Sequence, residues 1–114
     1  MIIDDEPLAI RVLENHIQKI PWLDISFTCT NPVEAIEQVK QKKADLIFLD
    51  IQMPELTGLE FLESLPRQPV VIFTTAYRQF AADAYDLDGL DYLIKPIAFP
   101  RFLKAVNKYV ERHG

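Results

Sequence analysis

The sequence has 114 residues, 49% of them hydrophobic and 25% charged, with a formal net charge of -5 at pH 7. That composition excludes a disordered segment and points to one domain of ordinary size; so acidic a balance argues against a surface for nucleic-acid phosphates. The single cysteine, Cys29, excludes an internal disulfide and a multi-thiolate metal site, and no apolar run approaches the ~20 residues that span a bilayer.

Ile2–Ile3 reads as a first strand, clipped against the roughly five or six residues usual for one, and it runs into Asp4, Asp5 and Glu6. Ile10, Leu13, Ile17 and Ile20 then recur at helical spacing, and Pro21 ends that segment. Leu23, Ile25, Phe27 and Cys29 alternate with more polar neighbours, as in a strand near a sheet edge. Asn31-Pro32-Val33-Glu34 reads as an N-cap, a first-turn proline and a capping-box glutamate, opening a second helix with Ile36 and Val39 inward. Leu46–Leu49 is a buried strand leading to Asp50. Thr57-Gly58-Leu59-Glu60 repeats the capping-box pattern before Leu62 and Leu65. Val70–Thr74 is a fourth strand, and Arg78 to Tyr85 a weak, Ala-rich fourth helix. Tyr92–Ile94 is the fifth strand. The last helix begins near Ala98, with Phe99, Phe102, Leu103, Val106 and Val110 as its apolar stripe.

Five strands alternating with five helices imply a parallel sheet with helices on both faces. With only three glycines, Gly58, Gly89 and Gly114, no G-x-G-x-x-G turn exists, which removes the dinucleotide-binding variant. The remaining choice is an α/β, flavodoxin-like, doubly wound fold with strand order 2-1-3-4-5. Ligands of such sheets bind beyond the carboxyl ends of the strands where the order reverses, between the first and third. There the pattern gathers Asp4, Asp5 and Asp50, with Thr75 and Lys95 beside them. Each like-charged pair costs a few kcal/mol at ~4–6 Å, so the cluster calls for a bound cation. A hard divalent ion with oxygen ligands, Mg²⁺ best of all, fits it, and such a site suits phosphoryl chemistry.

These residues carry a resemblance. Asp4-Asp5, then Asp50-Ile51-Gln52-Met53-Pro54 with Gly58, then Thr75-Ala76, then Tyr92-Leu93-Ile94-Lys95-Pro96, resemble the receiver domain of bacterial two-component response regulators over the whole chain. The wording around Thr75-Ala76-Tyr77 and Leu90–Ile97 is similar to receivers that precede LytTR-type DNA-binding domains. The resemblance implies that Asp50 takes a phosphoryl group from a sensor histidine kinase. It implies Mg²⁺ held by Asp5, Asp50 and the main-chain carbonyl of Gln52, with Asp4 acting mainly through water. Lys95 would pair with the phosphoryl group, and Thr75 would hydrogen-bond it. Tyr92 would rotate inward as Thr75 moves, carrying the signal to the surface of the fourth helix, fifth strand and fifth helix. Gln52 and Tyr77 would set the dephosphorylation rate, and the Lys95–Pro96 bond would be cis. The expected role is signalling rather than turnover, in the cytoplasm, without membrane or direct nucleic-acid contact. Residues 1–114 would form the N-terminal part of a longer regulator whose effector domain, of LytTR type, lies outside this chain.

Plainer readings exist for single residues. Asp4-Asp5 alone is compatible with a solvated turn at a helix N-terminus, and Tyr92 with ordinary core. His16 reads as a surface or partly buried helix histidine, and Cys29 as a small core residue. Asp83, Asp86, Asp88 and Asp91 lie on or after the fourth helix and Arg101, Lys104, Lys108 and Arg112 on the fifth; opposite signs on adjacent elements would close a two-fold homodimer through the output face, or only solvate it with pairs inside the chain. Two rival functions share parts of this pattern. One is a stand-alone or unphosphorylated receiver-like interaction module. The other is a haloacid-dehalogenase-like phosphatase, which wants an Asp where Gln52 stands and a cap for which 114 residues leave little room.

Overall fold

A computed structural model describes residues 1–42, 44–79 and 89–113. Its elements follow the predicted alternation: β1 (Ile2–Ile3), α1 (Pro7–Gln18), β2 (Thr28–Cys29), α2 (Pro32–Gln41), β3 (Ile47–Asp50), α3 (Gly58–Glu63), β4 (Val71–Thr75), β5 (Asp91–Ile94) and a C-terminal helix (Phe99–His113). The five strands are parallel and lie in the order β2-β1-β3-β4-β5, the flavodoxin-like topology. Most of the fourth predicted helix, 78–85, lies outside the described residues.

Strand alternation sorts the core into two layers. Ile3, Ile47, Leu49, Val71 and Phe73 pack with Ala35, Phe61 and Leu62 beneath α2 and α3. Ile2, Phe48, Ile72 and Leu93 face the other way, onto Leu13, Phe102 and Val106 of α1 and the C-terminal helix. Each such side chain, removed from water, contributes about 1.5–3 kcal/mol before the entropy of ordering is set against it.

Caps place the helices. Asn31 Oδ1 accepts from the backbone N–H groups of Val33 and Glu34 at 2.9 and 3.3 Å, so it is the predicted N-cap of α2. The return bond from Glu34 that would complete a capping box is not formed there. At α3 both halves form, Glu60 N–H to Thr57 Oγ1 at 3.1 Å and Thr57 N–H to Glu60 Oε1 at 3.0 Å. Phe102 N–H bonds back to the Ala98 carbonyl at 3.0 Å, which starts the C-terminal helix where the apolar stripe placed it.

The second strand is shorter than its alternation suggests. Only Thr28 and Cys29 pair in the ladder, opposite Ile2 and Ile3 of β1. Leu23 and Ile25 still pack against the core, as part of an extended arm rather than of the sheet.

Candidate functional site

Register brings the polar strand ends together. Ile3 pairs with Leu49, Asp50 with Thr74, and Thr75 with Ile94, so Asp4, Asp50, Thr75 and Lys95 all fall on the carboxyl edge. The order reverses between β1 and β3, and the acidic residues sit at that reversal.

Lys95 is the hub. Its Nζ lies 2.8 Å from Asp4 Oδ2, 3.5 Å from Asp50 Oδ2 and 3.5 Å from Glu6 Oε1. Burial works against the ammonium, but the Asp4 carboxylate, then Asp50 and Glu6, hold its pKa above the ordinary lysine value. Asp4 and Asp50 are themselves buried, 1% and 3% exposed, which is unusual for carboxylates unless they are paired. Burial first, and then the charge of Asp4, push the Asp50 carboxyl up from 3.8 to about 7, against the pull of Lys95 and the Gln52 N–H. That N–H reaches Asp50 Oδ1 at 3.3 Å.

The loop that follows β3 is held by a close approach. Gly58 N–H donates to the Ile51 carbonyl at 2.8 Å, and a Cβ on Gly58 would stand 2.6 Å from the Asp50 carbonyl oxygen. Only glycine lets α3 begin this near the chain that carries Asp50.

The donor set fits a hard cation. Asp4, Asp5, Glu6 and Asp50 each offer a carboxylate oxygen, all within 4.8 Å of one another. Asp4 Oδ2 is buried, with Lys95 Nζ 2.8 Å away as its ion-pair partner. Four clustered carboxylates beside one ammonium leave a negative excess that a divalent ion with oxygen ligands would neutralise.

The sequence matches the response regulator receiver domain family over residues 1–107. The chain is a receiver domain. This receiver is 39% identical over 110 residues to the transcriptional regulatory protein BtsR of Escherichia coli (strain K12), covering 95% of the chain and 46% of that protein. It is 35% identical over 115 residues to an uncharacterized response regulatory protein of Vibrio cholerae, covering 99% of the chain and 48% of that protein. The receiver thus spans about half the length of the curated relatives it matches. In structure it resembles the response regulatory domain of protein mrkE from Klebsiella pneumoniae, with a TM-score of 0.83 and 28% identity over 96% of this chain and 93% of that one. It is therefore a regulatory domain of two-component signalling. No helix among the described residues is long and apolar enough to cross a membrane.

The remaining predicted residues of the receiver fall as follows. Thr75 is buried, and its Oγ1 accepts the Tyr77 N–H at 3.1 Å. Gln52 is half-buried beside Asp50, while Tyr77 is 51% exposed at the rim. Tyr92 stacks on Phe73 at 5.7 Å between ring centroids, and its hydroxyl accepts the Gly89 N–H at 3.2 Å. The Lys95–Pro96 bond is cis.

Two residues carry more than their sequence position suggested. Glu6 joins the Lys95 ion-pair cluster, and the run Asp4-Asp5-Glu6 was the signal for it. Asp91, which the sequence left between a dimer contact and a pair inside the chain, takes the second role and is 5% exposed. Arg101 donates to both of its oxygens at 2.9 and 2.7 Å, and Lys108 Nζ lies 3.1 Å away. Burial alone would raise the Asp91 pKa, but the Arg101, Tyr92 N–H and Lys108 hydrogen bonds outweigh it and hold the carboxyl at about 2.

Proposed function

We propose that this receiver is a phosphorylation-controlled switch, with Asp50 as the acceptor of a phosphoryl group from a phosphohistidine on a sensor histidine kinase. The observation that carries the reading is Lys95 Nζ set among Asp4, Asp50 and Glu6 at the carboxyl edge of the sheet. An Asp50 carboxylate oxygen attacks phosphorus, an O–P bond forms, and the P–N bond breaks with its electron pair returning to the donor imidazole. Lys95 faces its positive charge to the phosphoryl oxygens, and Thr75 donates its hydroxyl proton to one of them. Asp5, Asp50 and the Gln52 carbonyl would hold Mg²⁺, with Asp4 acting through water. Such an ion supplies charge neutralisation at the phosphoryl oxygens.

Once Thr75 turns toward the phosphoryl group, Tyr92 moves with it and changes the surface formed by the fourth predicted helix, β5 and the C-terminal helix. The response is a shift between two existing states. That surface would control an effector domain following this N-terminal receiver in a longer cytoplasmic regulator. A LytTR-type DNA-binding domain is our assignment, supported by a relative of about twice the length that is named a transcriptional regulatory protein. A homodimer through the same face fits the scheme, with Lys104 and Arg112 as its basic contributors, since Arg101 and Lys108 are engaged by Asp91. The side chains of Gln52 and Tyr77 flank the approach of water and would set the phosphoryl lifetime.

Intact-protein mass after incubation with acetyl phosphate and Mg²⁺ tests the reading. One Mg²⁺-dependent phosphoryl adduct, absent from Asp50→Asn, is the expected result. No adduct under any condition would leave a receiver fold acting as an unphosphorylated interaction module. Repeated turnover of a generic phosphate ester would instead mark a phosphatase.

A further inference from the structure

His16 lies on α1, partly buried, with its Nε2 2.7 Å from the carbonyl oxygen of Ile97, eighty-one residues away. A carbonyl only accepts, so the ring proton is on Nε2. The ring packs against Phe99 and Phe102 at centroid distances of 5.5 and 5.3 Å, and Lys19 Nζ sits 5.0 Å from the Phe99 ring. Its other nitrogen, Nδ1, is buried without a hydrogen-bond partner. An apolar side chain could make the ring contacts without burying an unsatisfied atom, so what is particular to the histidine here is the bond to Ile97.

Where that bond falls is informative. Lys95 and Ile97 bracket the short passage from β5 to the C-terminal helix. Lys95 N–H donates to the Thr75 carbonyl at 2.8 Å, which fixes the upstream end to β4. Ile97, itself 7% exposed, is fixed at its carbonyl by His16, which ties the downstream end to α1. Lys95 thus extends from a backbone segment clamped on both sides, and α1 begins directly after Asp4, Asp5 and Glu6.

We infer that His16 is a positioning residue: its Nε2–H, by holding the Ile97 carbonyl, fixes the segment from which Lys95 reaches Asp4, Asp50 and Glu6. The inference rests on the proposed role of Lys95 for its functional meaning, and on geometry alone for the tether itself.

The test compares His16→Gln, His16→Asn and His16→Leu in the whole chain. The glutamine amide N–H reaches the place of Nε2, the asparagine amide stops near Nδ1, and leucine offers no donor. Side-chain NMR signals of Lys95 are read in the unphosphorylated protein, and the rate of Asp50 phosphorylation by acetyl phosphate is resolved into maximal rate and apparent KM. The asparagine and leucine variants are expected to shift the Lys95 signals and lower the maximal rate about tenfold, and glutamine to restore both. Unchanged Lys95 signals in all three variants, or glutamine as impaired as leucine, would overturn the tether. If the leucine variant fails to fold, the glutamine–asparagine pair, alike in polarity, still decides. A wild-type chain that takes no phosphoryl group, with Lys95 signals responding as expected, would sink the proposed chemistry and leave the tether standing.

Discussion

Replacing Asp91 by asparagine keeps the shape of the side chain and removes the charge that Arg101 and Lys108 hold. The carboxyl is depressed from 3.8 to about 2 in the folded protein. A shift of that size is linked to about 2.5 kcal/mol of stability near neutral pH. The Arg101 side chain is 41% exposed, so salt screens part of this, and about 2 kcal/mol is expected at physiological ionic strength. The sign follows from the depressed value: the contribution is complete above the unfolded pKa and is lost as pH falls through the folded one. About half should remain near pH 3, and little near pH 2. Urea unfolding of both proteins between pH 3 and 7 measures it, because every other carboxylate titrates alike in the two and drops out of the difference. A difference that does not shrink with falling pH, or is absent at neutral pH, would refute the assignment of this buried ionic pair.

Other substitutions address the site and its frame. Asp4→Asn should lower the Asp50 pKa below about 7 and Lys95→Met should raise it, because Asp4 pushes that carboxyl up and Lys95 pulls it down. NMR titration of the Asp50 carboxyl carbon reads both directions, and calorimetric titration with Mg²⁺ should show weaker binding in Asp4→Asn. Gly58→Ala forces a Cβ toward the Asp50 carbonyl and should destabilise by about 1–3 kcal/mol in denaturant, with slower phosphorylation of Asp50. Asn31→Ala removes the acceptor for two backbone N–H groups and should cost about 1 kcal/mol without changing the phosphorylation rate.

The strand ends were legible because period and position coincide. The third and fourth apolar runs each end in a polar residue, and parallel register leaves those residues on one edge, which is why Asp4, Asp50, Thr75 and Lys95 meet as read. Strand lengths were less legible. Leu23 and Ile25 have the right alternation yet stand outside the ladder, because alternation reports burial of one face and not backbone pairing. For Asp91 the sequence left a dimer contact and a pair inside the chain both open. The residue stands at the head of a strand, where alternation alone does not say which way it faces. Arg101 and Lys108, two helical turns apart on one face, were the available sign that a single carboxylate could satisfy both. The His16 bond to Ile97 joins residues from opposite ends of the chain, and no local pattern marks it.

The sheet that separates the two apolar layers also partitions their mechanics. Phe61 lies on one side and Phe102 on the other, with the strands as the wall between them. Phe48 and Phe102, stacked at 5.3 Å, share a side. Truncations made on opposite sides should therefore add in their effect on stability, while those made on one side should interact. Evolution or an engineer can repack the chamber under α2 and α3 without retuning the one under α1 and the C-terminal helix. The exceptions are substitutions that move the wall itself, and its free end carries Asp50.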